Sequence, residues 1–170
     1  MCSSPLSPLG GEGGVGAFVL DLFTETASLF ATRKGEAILR TGQCHCGAVR
    51  YALEGEPMHH TLCHCTDCRR HAGAPMVGWA MFKSEQVKAV QGEPKAYASS
   101  ETGRRHFCPD CGTGLFYTND AMLPGITDVQ SATLDDPDSL APTAHIQVAD
   151  RIAWMKDIQD LPEFERFPGG

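Results

Sequence analysis

Cys63-His64-Cys65-Thr66-Asp67-Cys68-Arg69-Arg70-His71 places three cysteines within six residues, flanked by histidines and arginines. A pair precedes it in Cys44-His45-Cys46-Gly47, and another follows in Cys108-Pro109-Asp110-Cys111-Gly112. Seven of the eight cysteines fall in these groups, and only Cys2 lies outside. Four thiolates close a tetrahedral structural zinc site; three leave one position open, as catalytic zinc is held. The seven cysteines therefore divide as four plus three.

The bulk composition suits a single globular domain. The chain has 170 residues, 42% of them hydrophobic and 21% charged, with 18 Gly and 11 Pro. That glycine and proline load favours a turn-rich, mainly β protein over a helical bundle. A net charge of −7 argues against a general nucleic-acid binder, which carries a basic patch. Residues 1–16 lack Lys and Arg, and the apolar stretch 17–32 is broken by Asp21 and Glu25, so no export signal is read. Clustered cysteines without such a signal read as metal ligands in a reducing, cytoplasmic setting rather than as disulfides. No apolar run approaches the roughly 20 residues of a membrane span.

Residues 1–36 are expected to be a disordered or non-essential extension, with a short amphipathic helix over 17–32 through Phe18, Leu22, Phe23, Leu29 and Phe30. The domain is expected to span 37–168. Val49, Tyr51 and Leu53 alternate with polar residues, which predicts a half-buried strand. Pro75 to Phe82 is apolar on both faces and reads as a central strand. Short strands are also expected at 87–90, 96–99, 105–107, 114–118, 127–134, 145–148 and 152–155, which indicates antiparallel sheets. Thr66 is the expected cap of a helical turn through His71, ended by Gly73.

The clusters carry the chemistry. Cys108 and Cys111 sit three apart in a tight turn, with both sulfurs on one side. Cys44 and Cys46 sit two apart in an extended segment, so they also face one way. Each pair is half a zinc site, and joining them would clamp distant segments and couple metal binding to folding. Cys63, Cys65 and Cys68 can hold a second zinc. Its fourth position is open to water, a substrate thiol, or one of His64, His71 and His106.

Three motifs together resemble the glutathione-dependent formaldehyde-activating enzyme family, which includes centromere protein V. They are Gly42-x-Cys44-x-Cys46-Gly47-x-Val49-x-Tyr51, Cys63-His64-Cys65-x-x-Cys68-Arg69-Arg70-x-x-Gly73, and Phe107-Cys108-x-x-Cys111-Gly112-x-x-Leu115. The tail is similar too, through Leu134-Asp135-Asp136-Pro137, His145, Trp154 and Asp160-Leu161-Pro162. The resemblance implies several coiled antiparallel sheets around zinc. It implies a structural zinc on Cys44, Cys46, Cys108 and Cys111 and a catalytic zinc on Cys63, Cys65 and Cys68. It further implies a carbon–sulfur lyase that joins formaldehyde to glutathione.

The neighbouring polar residues have two readings each. Arg69 and Arg70 are candidates to read glutathione carboxylates, as are Arg104 and Arg105 beside His106; the alternative is solvated surface. His64 or Asp67 is a candidate proton donor, or else supports the ligating cysteines. His59 and His60 read as strand residues, His145 as a packing or site residue, and Trp79 and Trp154 as core. Two other functions compete with the lyase. One is a non-catalytic zinc module for a protein or thiol partner. The other is a dithiol redox protein on Cys108 and Cys111, which needs a βαβ context.

Overall fold

Alternating burial builds the first sheet. The computed structural model describes residues 38–169, so the extension and helix expected within 1–36 lie outside the described residues. Strand β1 (Leu39–Gln43) pairs antiparallel with β2 (Arg50–Glu54), and β2 pairs antiparallel with β5 (Val87–Gln91). Tyr51 and Leu53 of β2 are fully buried, while Arg50 and Glu54 face solvent. The expected period of two is what the strand displays. β1 has the sequence LRTGQ and buries only Gly42, so it offered no apolar pattern to read. Gly42 is needed there because a Cβ would overlap the Tyr51 ring.

A seven-stranded sheet holds the other strands. They are β3 (His59–Cys63), β4 (Val77–Lys83), β6 (Lys95–Ala98), β7 (Gly103–Phe107), β8 (Gly114–Asn119), β9 (Leu123–Gln130) and β10 (Ala144–Ile146). Their order is β10-β3-β4-β9-β8-β7-β6. Every pairing is antiparallel except β10 on β3, which is parallel. β4 is an inner strand, paired on both sides, and buries residues on both faces, as its sequence predicts. Ala80 and Phe82 join the main core with Tyr51, Leu53, Leu115 and Val129, while Val77 and Trp79 join a second cluster with Cys63 and Cys68. Tyr51 ties the sheets together. Its ring meets Phe116 edge-on at 5.1 Å, and its hydroxyl lies 2.7 Å from Thr133 Oγ1.

Three expectations need correction. The strand expected over 127–134 starts earlier and stops at Gln130. There the chain turns through Ser131–Thr133, because Thr133 Oγ1 donates to the Gln130 carbonyl and Leu134 N to the Ser131 carbonyl. The strand expected over 152–155 is a single helical turn, Ala153–Lys156. That turn buries Met155 alone and leaves Trp154 54% exposed, so Trp154 is not core. Finally, the cap of α1 (Thr66–Ala72) is Cys65 rather than Thr66. No helix among the described residues is long and apolar enough to cross a membrane.

Candidate metal centre and active site

Two turns build the four-cysteine cluster. After β1, Gly47 N donates to the Cys44 carbonyl and Cys44 N to the Val49 carbonyl. After β7, Gly112 N donates to the Cys108 carbonyl and Cys108 N to the Thr113 carbonyl. Gly47 (φ 75) and Gly112 (φ 77) take the left-handed conformation that lets each turn close. His45 N then donates to Thr113 Oγ1 at 3.1 Å and knits the turns together. Cys44 Sγ lies 3.5 Å from Cys46 Sγ, which lies 3.8 Å from Cys108 Sγ, and all four sulfurs fall within 4.8 Å of one another. Bonds of about 2.3 Å from a tetrahedral zinc would separate its sulfurs by about 3.8 Å, whereas a disulfide is about 2.05 Å long. The cysteines are unpaired, and the geometry fits a metal. The Thr113 hydroxyl and the backbone N–H groups of Thr113 and Cys46 hold the Cys111 thiol down to about 5.

One strand end and one helix start build the three-cysteine cluster. Cys63 ends β3, Cys65 caps α1, and Cys68 lies in the first turn of α1. Cys68 N donates to Cys65 Sγ at 3.3 Å. Gly73, at φ 62, ends the helix as expected, with its N–H on the Arg69 carbonyl. The three sulfurs lie within 4.8 Å of one another, and this cluster can also hold a metal ion. Among the described residues, no histidine or carboxylate joins either cluster.

The surroundings of Cys68 are electropositive. Trp79 Nε1 donates to its sulfur at 3.4 Å, and Arg105 Nη2 lies 3.8 Å away. Cys63, then Cys65, Trp79 and Arg105, hold the Cys68 thiol down to about 5 against its burial. Cys63 is pushed up by Cys68 and by burial. The Asp128 carboxyl is raised to about 6 by burial and then by the charge at Cys68.

The structure places the other candidates as follows. His64 is 1% exposed, and its Nε2 lies 2.9 Å from His145 Nδ1. His106 Nε2 meets Thr118 Oγ1 at 3.1 Å. His60 is buried in β3, with Nε2 2.8 Å from Ser131 Oγ, while His59 is exposed. Arg69 spends two donors on its own loop: Nε on the His64 carbonyl and Nη2 on Thr66 Oγ1, both at 3.2 Å. Asp67 and Arg70 are exposed on α1 and line a cavity with His71, Tyr97, Ser99 and Arg105. The turn of Cys108 and Cys111 joins antiparallel strands, not a βαβ unit. Sequence reasoning did not single out Arg105 among its basic neighbours, and it missed Tyr117 and Asp128. Their signal is cross-strand register: Tyr97 pairs with Arg105, Arg105 with Tyr117, and Tyr117 with Asp128.

Known proteins resemble this chain. Residues 39–150, which include every clustered cysteine, match the family model described as glutathione-dependent formaldehyde-activating enzyme. An uncharacterized lyase of Schizosaccharomyces pombe is 34% identical over 80 residues, which cover 46% of this chain and 58% of that protein. The match thus spans less than two thirds of that relative. A Halomonas elongata protein, provisionally named a glutathione-dependent formaldehyde-activating enzyme, is 27% identical over 132 residues, or 70% of this chain and 81% of the relative. A crystal structure of a Rhodobacter sphaeroides protein has a similar fold, with a TM-score of 0.50 and 24% identity over 62% of this chain and 98% of its own. With the family match running through both cysteine clusters, the chain belongs to the glutathione-dependent formaldehyde-activating enzyme family.

Proposed function

We propose that the chain is a zinc-dependent carbon–sulfur lyase that joins formaldehyde, or a similar small carbonyl, to glutathione or a related thiol. The observation that carries this reading is the inequality of the clusters: four sulfurs in one, three in the other, and no fourth side-chain ligand among the described residues. In this reading Cys44, Cys46, Cys108 and Cys111 hold a structural zinc. Cys63, Cys65 and Cys68 hold a second zinc that keeps one exchangeable position. Residues 37–168 form the working domain.

When bound at the three-cysteine cluster, zinc supplies a Lewis acid that favours the thiolate of an incoming thiol and polarises a small carbonyl. The chain's own residues set the environment. Trp79 and Arg105 donate to Cys68 and withdraw charge from its sulfur. The thiol loses its proton, its sulfur forms a bond to the carbonyl carbon, and the carbonyl π pair becomes an alkoxide that takes up one proton. Asp67 in the cavity lining and Asp128 on the sheet face beneath are the carboxyls positioned on that side to pass this proton. His64, engaged with His145, supports the cysteine loop instead.

The test is exchange spectroscopy with labelled formaldehyde and glutathione at equilibrium. The purified protein is expected to speed interconversion of hydrated formaldehyde and the S-hydroxymethyl adduct. Cys65→Ser is expected to return the rate to that of buffer. An unchanged rate with the wild-type protein would sink the lyase reading in favour of a zinc module.

A further inference from the structure

A serine and a histidine stand in contact on the face of β3 and β4 that turns away from the three-cysteine cluster. His60 Nε2 lies 2.8 Å from Ser131 Oγ, and the two residues are 5% and 8% exposed. Register separates the pair from the cysteines. Leu62 faces Gly78 across β3 and β4, and Cys63 faces Val77 at the next position. Side chains alternate between faces along a strand, so His60 and Leu62 share one face while Cys63 and Val77 take the other. The chemistry of the cysteines makes no use of this pair.

The pair borders a cavity. His60, Ser131 and Gly78 line a space of about 300 Å³, whose other walls include Leu62, Met76, Leu140 and Pro142. Gly78 makes room at the pair itself. A Cβ there would overlap Ser131 Oγ and stand 3.5 Å from His60 Nε2, so both reactive atoms flank the bare face of a residue that lines the cavity. Ser131 occupies a corner, where β9 ends at Gln130 and the turn Ser131–Thr133 begins. Other folds present a nucleophilic serine at such a corner after a strand. Burial holds the His60 imidazole below its ordinary range, so near neutral pH it keeps a lone pair to accept a proton. An apolar cavity with a few convergent polar groups is how small-molecule sites are built.

We propose that Ser131 and His60 form a nucleophile–base pair that takes an acyl group from small apolar esters. With its own proton on Nδ1, the ring presents the Nε2 lone pair to the Ser131 hydroxyl. Oγ bonds to the ester carbonyl carbon, and the hydroxyl proton passes to Nε2. The bond from that carbon to the alcohol oxygen breaks, and the alcohol leaves with the proton. Water then repeats the sequence at the acyl-serine, which frees the carboxylic acid and restores the hydroxyl. The small volume selects short or single-ring groups, and the apolar walls disfavour charged ones. This activity needs neither zinc nor a thiol and stands apart from the lyase reading.

The probe is phenylmethylsulfonyl fluoride, applied to the zinc-loaded full chain. Oγ bonds to its sulfur, fluoride leaves, and the hydroxyl proton passes to His60. Peptide mass mapping is expected to find the sulfonyl group on Ser131. His60→Gln keeps a hydrogen-bonding partner for Ser131 but cannot take its proton, and is expected to slow that labelling about 100-fold. The wild type is expected to release 4-nitrophenolate from 4-nitrophenyl butyrate, at a rate that falls at least about tenfold in Ser131→Ala. A wild-type protein whose Ser131 stays unlabelled, or whose label lies only on cysteines, overturns the proposal, and this result needs no variant to fold. Labelling of Ser131 at an undiminished rate in folded His60→Gln overturns the pair, and 4-nitrophenolate release unchanged in folded Ser131→Ala overturns the acyl transfer.

Discussion

The indole N–H of Trp79 donates to Cys68 Sγ at 3.4 Å, joining the inner strand β4 of the seven-stranded sheet to the helix that carries the third sulfur. Such donors orient a metal ligand and tune its basicity, and losing one typically costs about 10- to 100-fold in metal affinity. Trp79→Phe keeps an aromatic ring and removes the donor. It is expected to weaken zinc at the three-cysteine cluster by about that factor while the four-cysteine cluster keeps its metal. Chelator competition, followed as two separate release phases, measures this. Two phases unchanged from wild type would show that the indole only packs.

The two clusters are expected to differ in what their loss does. Cys111 belongs to a site that joins the turn after β1 to the turn after β7, and so ties the small sheet to the large one. Metal there contributes folding free energy directly. Cys111→Ser is expected to unfold the domain or lower its melting temperature by many degrees. The three sulfurs of Cys63, Cys65 and Cys68 lie within one short segment, so Cys65→Ser is expected to stay folded with about one zinc fewer. Melting curves and metal analysis of both variants check this. Equal disruption would make both sites structural and remove the main support for an exchangeable position.

The sequence made the cysteine clusters legible because metal ligation leaves a local imprint. Spacings such as Cys44-x-Cys46 and Cys108-x-x-Cys111 fix where sulfurs point with no knowledge of the fold. β4 was legible for a similar reason, since a strand covered on both faces is apolar at consecutive positions. The row Tyr97, Arg105, Tyr117 and Asp128 was not. It exists only through the register of four strands, and the β7–β8 and β8–β9 pairings each carry a register shift that no pattern announces. The parallel β10 was hidden as well. It returns along β3 through Thr143 N on the His60 carbonyl, a contact between residues 83 positions apart. Trp154 misled because a lone tryptophan reads as core, while the turn that carries it buries Met155 instead.

His60 gives the fold a pH dependence of known sign. Burial holds its imidazole below the ordinary range, with backbone groups at Ala141 and Leu140 pulling weakly the other way. The folded state therefore binds the proton less readily than the unfolded chain, whose histidine titrates near about 6.5. The contribution to stability is present in full above that pH and is lost as pH falls through the lowered folded value. His60→Gln keeps a polar partner for Ser131 and cannot titrate. Its melting temperature is expected to fall less than that of wild type between pH 7.5 and 5.5, with zinc content matched in both. Parallel curves would place the acid sensitivity elsewhere.

The exchangeable position at Cys63, Cys65 and Cys68 can be read by counting protons. A zinc held by three cysteines takes a thiol as its thiolate, whereas a free thiol near neutral pH is mostly protonated. Glutathione binding is therefore expected to release close to one proton per thiol bound. S-methylglutathione has the same carboxylates and no ionisable sulfur. It is expected to bind more weakly and to release almost no proton. Calorimetry in two buffers of different ionisation enthalpy gives the count directly. In Cys65→Ser, proton release is expected to disappear. Equal affinity and equal proton release for the two compounds would mean that the metal does not hold the sulfur. The four-plus-three division of the cysteines would then describe two structural centres and no catalytic one.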